Sequence, residues 1–149
     1  MPYTGLSEEE FRAAVEKLLE KRFAPSGSVA ALLPFTLVRC SASGASLEVR
    51  YVPEPWARNA NGTVHGGVLM TVFDSVMGTL TRGFTGDPST PTVNLSVSFQ
   101  SPAYIDSALH FFAEVTHSGA HTVHLMGRCF PENDPERIVC TAQGVFYRM

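Results

Sequence analysis

The hydrophobic pattern changes its period along the chain. Phe11, Val15, Leu18 and Leu19 recur at helical spacing behind Ser7 and Glu10, a capping box, with Glu8 and Glu9 in the first turn. Residues 7 to about 22 therefore read as an amphipathic helix. The stretch Ala24 to Ser28, APSGS, breaks it. Alternation then takes over, and Phe35–Cys40 and Ser46–Val52, the latter through Leu47, Val49 and Tyr51, predict two strands joined by a hairpin turn at SASG. Pro53 and Pro55 put the next stretch, up to Thr63, in a loop. From Gly66 to Leu80 an apolar run of helical length predicts a core helix, ended by Gly83, Gly86 and Pro88. Four strand-like segments follow without another helix: Thr92–Gln100, Ala108–Ser118, Thr122–Phe130 and Arg137–Tyr147. The linkers SPAYIDS, SGA and PENDP favour consecutive antiparallel pairing. The expectation is one α+β domain over residues 1–149, with residues 1–28 an N-terminal helical extension. Its buried helix packs on one face of an antiparallel sheet of five or six strands.

A chain of 149 residues, 44% of them hydrophobic, is large enough to bury a continuous core without disulfides or metals. The net charge of −3, with Lys17 and Lys21 the only lysines, argues against a phosphate-tracking surface, so no nucleic-acid partner is expected. Cys40, Cys129 and Cys140 are odd in number, far apart and outside any CxxC or CxxH pattern, so neither a disulfide framework nor a zinc site is indicated, and a reducing cytoplasm fits best. His117, His121 and His124 gather around a hairpin. On a strand, however, 121 and 124 point to opposite faces and no carboxylate is spaced to complete a metal site. The opening MPYTGLSEEEF lacks a basic and an apolar region, and no eighteen apolar residues run together, so neither secretion nor membrane spanning is expected.

The candidate chemistry lies in NANGTVHGG, Asn59 to Gly67, and the helix that follows it. Unpartnered N–H groups at a helix start attract negative charge, either a bound phosphate or an oxyanion formed during a reaction. Asp74, two turns further in, is a candidate base or nucleophile. Thr71, Asp74, Ser75, Gly78 and Arg82 share one helical face, a strip that suits either solvent or the cover of a partner subunit. Gly66 and Gly67 fit a close helix–strand approach as well as an anion site, and Asn59 fits a turn cap as well as an amide ligand. Gly66 and Asp74 are also about 12 Å apart along one helix, too far to act on the same carbonyl.

The spacing N-x-x-G-x-x-H-G-G, followed after six residues by Asp, is filled by Asn59, Gly62, His65, Gly66, Gly67 and Asp74. Together with PTVNLSVSFQSPA from Pro91 and AQGVF from Ala142 to Phe146, it resembles the hotdog-fold acyl-coenzyme A thioesterases of the phenylacetic-acid-degradation (PaaI-like) type. The resemblance covers most of the chain and leaves out the N-terminal helix. It implies a long central helix wrapped by an antiparallel sheet. Subunits would pair edge to edge into a homodimer or homotetramer, and coenzyme A would enter only as part of the substrate, with no other cofactor. It also implies shared sites, with Asn59 and the Gly66 N–H of one subunit facing Asp74 and Thr92 of its partner.

In that scheme Gly66 donates to the oxyanion. Asp74 is either the nucleophile, through a mixed anhydride, or the general base for a water, and Thr92 orients that water or holds the carboxylate. Asn59 binds the thioester carbonyl or the water. His65 holds the loop and the helix start rather than serving as a second base. Gly67 and Arg82 are the candidates for holding coenzyme A. The turn in which family members often carry a basic residue reads Gly119-Ala120-His121 here, which leaves Arg82, ahead of Arg58, Arg128 and His121, for the phosphates. Phe73, Met77, Phe99 and Trp56 are either pocket walls or core. Two alternatives stand beside this reading: a hotdog hydratase or dehydratase, which calls for a His/Asp or His/Glu pair, and a non-catalytic acyl-coenzyme A-binding protein.

Overall fold

The computed structural model describes residues 4–22 and 27–149, apart from the Arg22 side chain. The predicted break at Ala24 to Ser28 falls largely outside them. Helix α1 (Glu8–Arg22) starts at the expected capping box: Ser7 Oγ accepts from the Glu10 N–H at 3.2 Å, and the Glu10 carboxylate accepts from the Ser7 N–H at 2.8 Å. Its apolar stripe buries Phe11, Val15 and Leu19. Glu8 anchors it to the first hairpin by accepting from the Ala42 and Ser43 N–H groups at 2.8 and 2.9 Å.

The strands are β1 (Phe35–Ser41), β2 (Ser46–Tyr51), β3 (Thr92–Phe99), β4 (Leu109–Ser118), β5 (Thr122–Pro131) and β6 (Cys140–Tyr147). They form one antiparallel sheet in the order β1-β2-β4-β5-β6-β3. The long helix α2 (Gly66–Thr85) lies on its inner face. Leu47, Val49 and Tyr51 of β2 and Leu109, Phe111 and Ala113 of β4 meet Val72, Phe73, Val76 and Met77 of α2 in one core. The helix sits so close that a Cβ on Gly127 would stand 2.8 Å from the Phe73 ring, and one on Gly144 would stand 2.7 Å from Met77 Sδ. A long helix wrapped by a sheet is the hotdog fold, and it assigns Phe73 and Met77 to the core rather than to a pocket wall.

Two boundaries differ from the sequence reading by more than one residue. Helix α2 does not stop at Leu80 or Gly83 but runs to Thr85, where Gly86, at φ 74°, closes it by donating to the Arg82 carbonyl. Gly83 is a packing position, because a Cβ there would lie 3.2 Å from Val15 of α1. Strand β6 starts at Cys140 instead of Arg137, since the Arg137 N–H closes a turn on the Asp134 carbonyl and its guanidinium bonds Ser101 Oγ and the Pro102 carbonyl. Strand β3 forms one edge of the sheet and is exposed along most of its length. Among the described residues no helix is long and apolar enough to cross a membrane.

Candidate active site

The start of α2 is organised by His65, the N-cap residue. Its Nδ1 accepts from the Gly67 N–H at 2.9 Å, and its carbonyl accepts from the Val68 and Leu69 N–H groups at 2.9 and 3.3 Å. An Nδ1 that accepts is unprotonated, so His65 serves as a cap and holds the helix start. Of the four N–H groups a helix leaves open, only that of Gly66 makes no hydrogen bond among the described residues. The Gly67 amide is committed to His65, so the expectation that it holds part of coenzyme A finds no free donor there. Gly66 lies under the Phe99 ring, and a Cβ there would come within 3.1 Å of Phe99 Cζ. The close helix–strand approach is found at Gly66 and not at Gly67, where the near atoms belong to His65, and it leaves the Gly66 donor open.

Asn59 folds the preceding loop. Its Oδ1 accepts from the Asn61 and Thr63 N–H groups at 2.9 and 3.1 Å, while its Nδ2 donates to Thr63 Oγ1 at 2.9 Å. Its acceptor is consumed, and one N–H of its amide is left for a ligand. Asn59, Gly66, Phe99 and Ser101 line a cavity of about 340 Å³.

A second, separate cavity holds the carboxylate. Asp74 is half-buried on α2, and Thr92 Oγ1, at the start of β3, donates to its Oδ1 at 2.6 Å. No other group bonds this carboxylate among the described residues. The cavity, about 620 Å³, has Asp74, Ser75, Gly78 and Arg82 along α2 and is also lined by Leu18 and Lys21 of α1 and by residues 88–92. The polar strip read from the sequence is therefore the floor of this cavity, except Thr71, whose hydroxyl donates to the Gly67 carbonyl. Part of its cover is the chain's own α1. Arg82 is held by donation to the Pro88 carbonyl at 2.5 Å. Lys21 was missed in the sequence, because the spacing within α1 carries no information about which part of α2 it faces.

The structure thus joins Asp74 to Thr92, and Asn59 to Gly66, but lines separate cavities with the two pairs. None of the other basic candidates lines either cavity. Arg128 lies over the Phe112 ring at 4.8 Å, His121 stacks on Tyr147 at 6.2 Å, and Arg58 pairs with Val64 in a short bridge. Trp56 donates to Glu54. No group of three His, Cys, Asp or Glu side chains that could hold a metal ion occurs among the described residues.

Residues 61–138 match the family model described as the thioesterase superfamily. The structure of a phenylacetic acid degradation-related protein from Ralstonia eutropha JMP134 aligns with a TM-score of 0.77 at 26% identity, covering 91% of this chain and 99% of that one. The PaaI protein of the phenylacetic acid degradation operon of E. coli aligns with a TM-score of 0.80 at 14% identity, covering 97% and 96%. The Streptococcus mutans UA159 protein smu.793, bound to acetyl CoA, aligns with a TM-score of 0.69 at 17% identity, covering 76% and 87%. Comparison with curated protein sequences gives no match.

Proposed function

The chain belongs to the thioesterase superfamily, and from that premise we propose that it hydrolyses an acyl-coenzyme A thioester to the free acid and coenzyme A. The observation that carries this reading is the Asp74–Thr92 hydrogen bond on the floor of an open cavity. Thr92 occupies Oδ1 and fixes the carboxylate, leaving Oδ2 to face the reacting group. A thioester carbonyl is electrophilic already, so one carboxylate suffices, either attacking the carbon to form a mixed anhydride or taking a proton from a water that attacks it. Either route ends in carboxylic acid and free thiol.

The developing oxyanion needs a donor, and the Gly66 N–H is free, at a helix N-terminus where the macrodipole adds to it. A donor of this kind is worth about 2.7–4 kcal/mol in the barrier. Within one chain it stands roughly 12 Å along the helix from Asp74, in the other cavity. The proposed site therefore joins Gly66 and the remaining Asn59 N–H of one subunit to Asp74 and Thr92 of a second, in a homodimer or homotetramer. The exposed edge strand β3, which carries Thr92 at one end and Phe99 over Gly66 at the other, is the element on which such pairing would be built. Coenzyme A comes with the substrate. Three free cysteines suit a reducing cytoplasm as the proposed location. A hydratase calls for a His partner to the acid, whereas the partner bonded to Asp74 is a hydroxyl.

The deciding experiment is thiol release from acyl-coenzyme A esters running from acetyl to palmitoyl and including phenylacetyl and hydroxybenzoyl. Turnover on at least one ester is expected, falling by roughly 10²–10⁴ in Asp74→Asn. Equal activity in that variant would sink the reading.

A further inference from the structure

The 620 Å³ cavity continues past Asp74, and its charges change sign on the way. Asp74, Gly78 and Arg82 succeed one another on one face of α2, four residues apart, so Arg82 stands about 12 Å along the helix from the carboxylate. Gly78 puts no side chain between them, and the nearest atom to a Cβ added there would be on the Phe146 ring at 3.5 Å. Lys21 of α1 lines the same cavity. Neither cation is neutralised among the described residues. Lys21 makes no hydrogen bond or ion pair, and Arg82 makes one bond, to the neutral Pro88 carbonyl. Asp87, the acid nearest in sequence, forms no ion pair with it.

A cavity that is negative where the thioester carbon must sit and positive two helical turns away selects for an anion on the substrate. Resting on the thioesterase reading, we propose that Lys21 and Arg82 bind a carboxylate at the far end of the acyl group, so that the preferred substrates are monothioesters of medium-length dicarboxylic acids. A phosphate of coenzyme A is the other source of an anion. The acyl tail is favoured because both cations line the same cavity as Asp74, with Arg82 about 12 Å along the helix from the carboxylate that must meet the thioester carbon. The coenzyme, by contrast, has to leave its thioester toward solvent.

The test compares suberyl and octanoyl esters, which differ in the terminal carboxylate, in the parent protein and in Lys21→Gln and Arg82→Gln. Each ester is used both on coenzyme A and on N-acetylcysteamine, which has no phosphate. The parent is expected to favour suberyl, and each variant to lower the suberyl-to-octanoyl ratio of kcat/KM by about tenfold or more on both carriers, the scale of one hydrogen bond to a charged group. Lys21 is exposed and bonded to nothing described, so its replacement leaves the fold intact even if Arg82→Gln frees the 88–92 loop. An unchanged ratio overturns the proposal. An effect confined to the coenzyme A esters and equal for both acyl groups also overturns it, by assigning the cations to phosphate. Absence of turnover on every ester instead overturns the thioesterase reading.

Discussion

Thr92 Oγ1 donates a 2.6 Å hydrogen bond to Asp74 Oδ1, tying the first residue of an edge strand to the third turn of the buried helix. A short bond from a hydroxyl to a carboxylate fixes the carboxylate's rotamer and adds a charge-assisted contact. Removing the hydroxyl should therefore cost activity without disturbing the core, since Thr92 is exposed. We expect Thr92→Val to lower kcat by about tenfold, in line with one lost charge-assisted bond of roughly 1.5–3 kcal/mol. Thr92→Ser should restore most of it. Steady-state kinetics with a thiol reagent decides, and a fully active Val variant would show that the hydroxyl has no part in turnover.

Acid stability should depend on a carboxylate far from the site. The Ser43 and Ala42 N–H groups and nearby hydroxyls hold Glu8 down to about 2, from an ordinary value of 4.5. Depression of a carboxylate means that its contribution to stability is complete above pH 4.5 and is lost as pH falls from there through about 2. Arg50, with His110, holds Glu132 at about 2 as well, so the two act in the same window. Tm of the parent should fall steadily below pH 4.5, and Glu8→Gln should show a lower plateau at pH 7 and a shallower acid slope. Identical pH profiles for the two proteins would mean that the α1 anchor does not contribute.

Much of this architecture is legible from periodicity. The capping box, the six strands and the apolar α2 all repeat locally, and Asp74 stands out as a carboxylate in an apolar helix. Two kinds of information are missing. The first is tertiary override of local signals. Gly83 looks like a helix stop, yet Val15 packs where its side chain would be, and the helix runs on. The second is spatial convergence of distant segments. Nothing in the spacing of α1 says that Lys21 faces the Asp74 cavity, or that the Asn59 oxygen is consumed by its own loop.

Tyr51 supplies a stability prediction of opposite sign to most core substitutions. Its ring is fully buried beside Phe111, its hydroxyl has no hydrogen-bond partner among the described residues, and burial pushes the phenol up to about 12. An orphaned buried hydroxyl costs about 1–3 kcal/mol, which Tyr51→Phe recovers while keeping the ring. A gain near 1 kcal/mol would raise Tm by about 3 °C in a protein of this size. A lower Tm in the Phe variant would mean that the hydroxyl is satisfied after all.

The two cavities make the sharpest demand on assembly. If each site takes Gly66 from one subunit and Asp74 from its partner, a dimer holds two such sites related by symmetry. Gly66→Val, which drives a side chain into Phe99 and displaces the amide, and Asp74→Asn should each be nearly inactive alone. In a mixed dimer of the two, one site carries both defects and the other carries none. Unfolding and refolding the two variants together at equal concentration yields about half mixed dimers, so about a quarter of the parent activity should return. Light scattering on the same samples should give a dimer or tetramer mass. A monomeric mass, or mixtures that stay as inactive as their components, would confine the chemistry to a single chain and leave the Gly66 amide without a role in it.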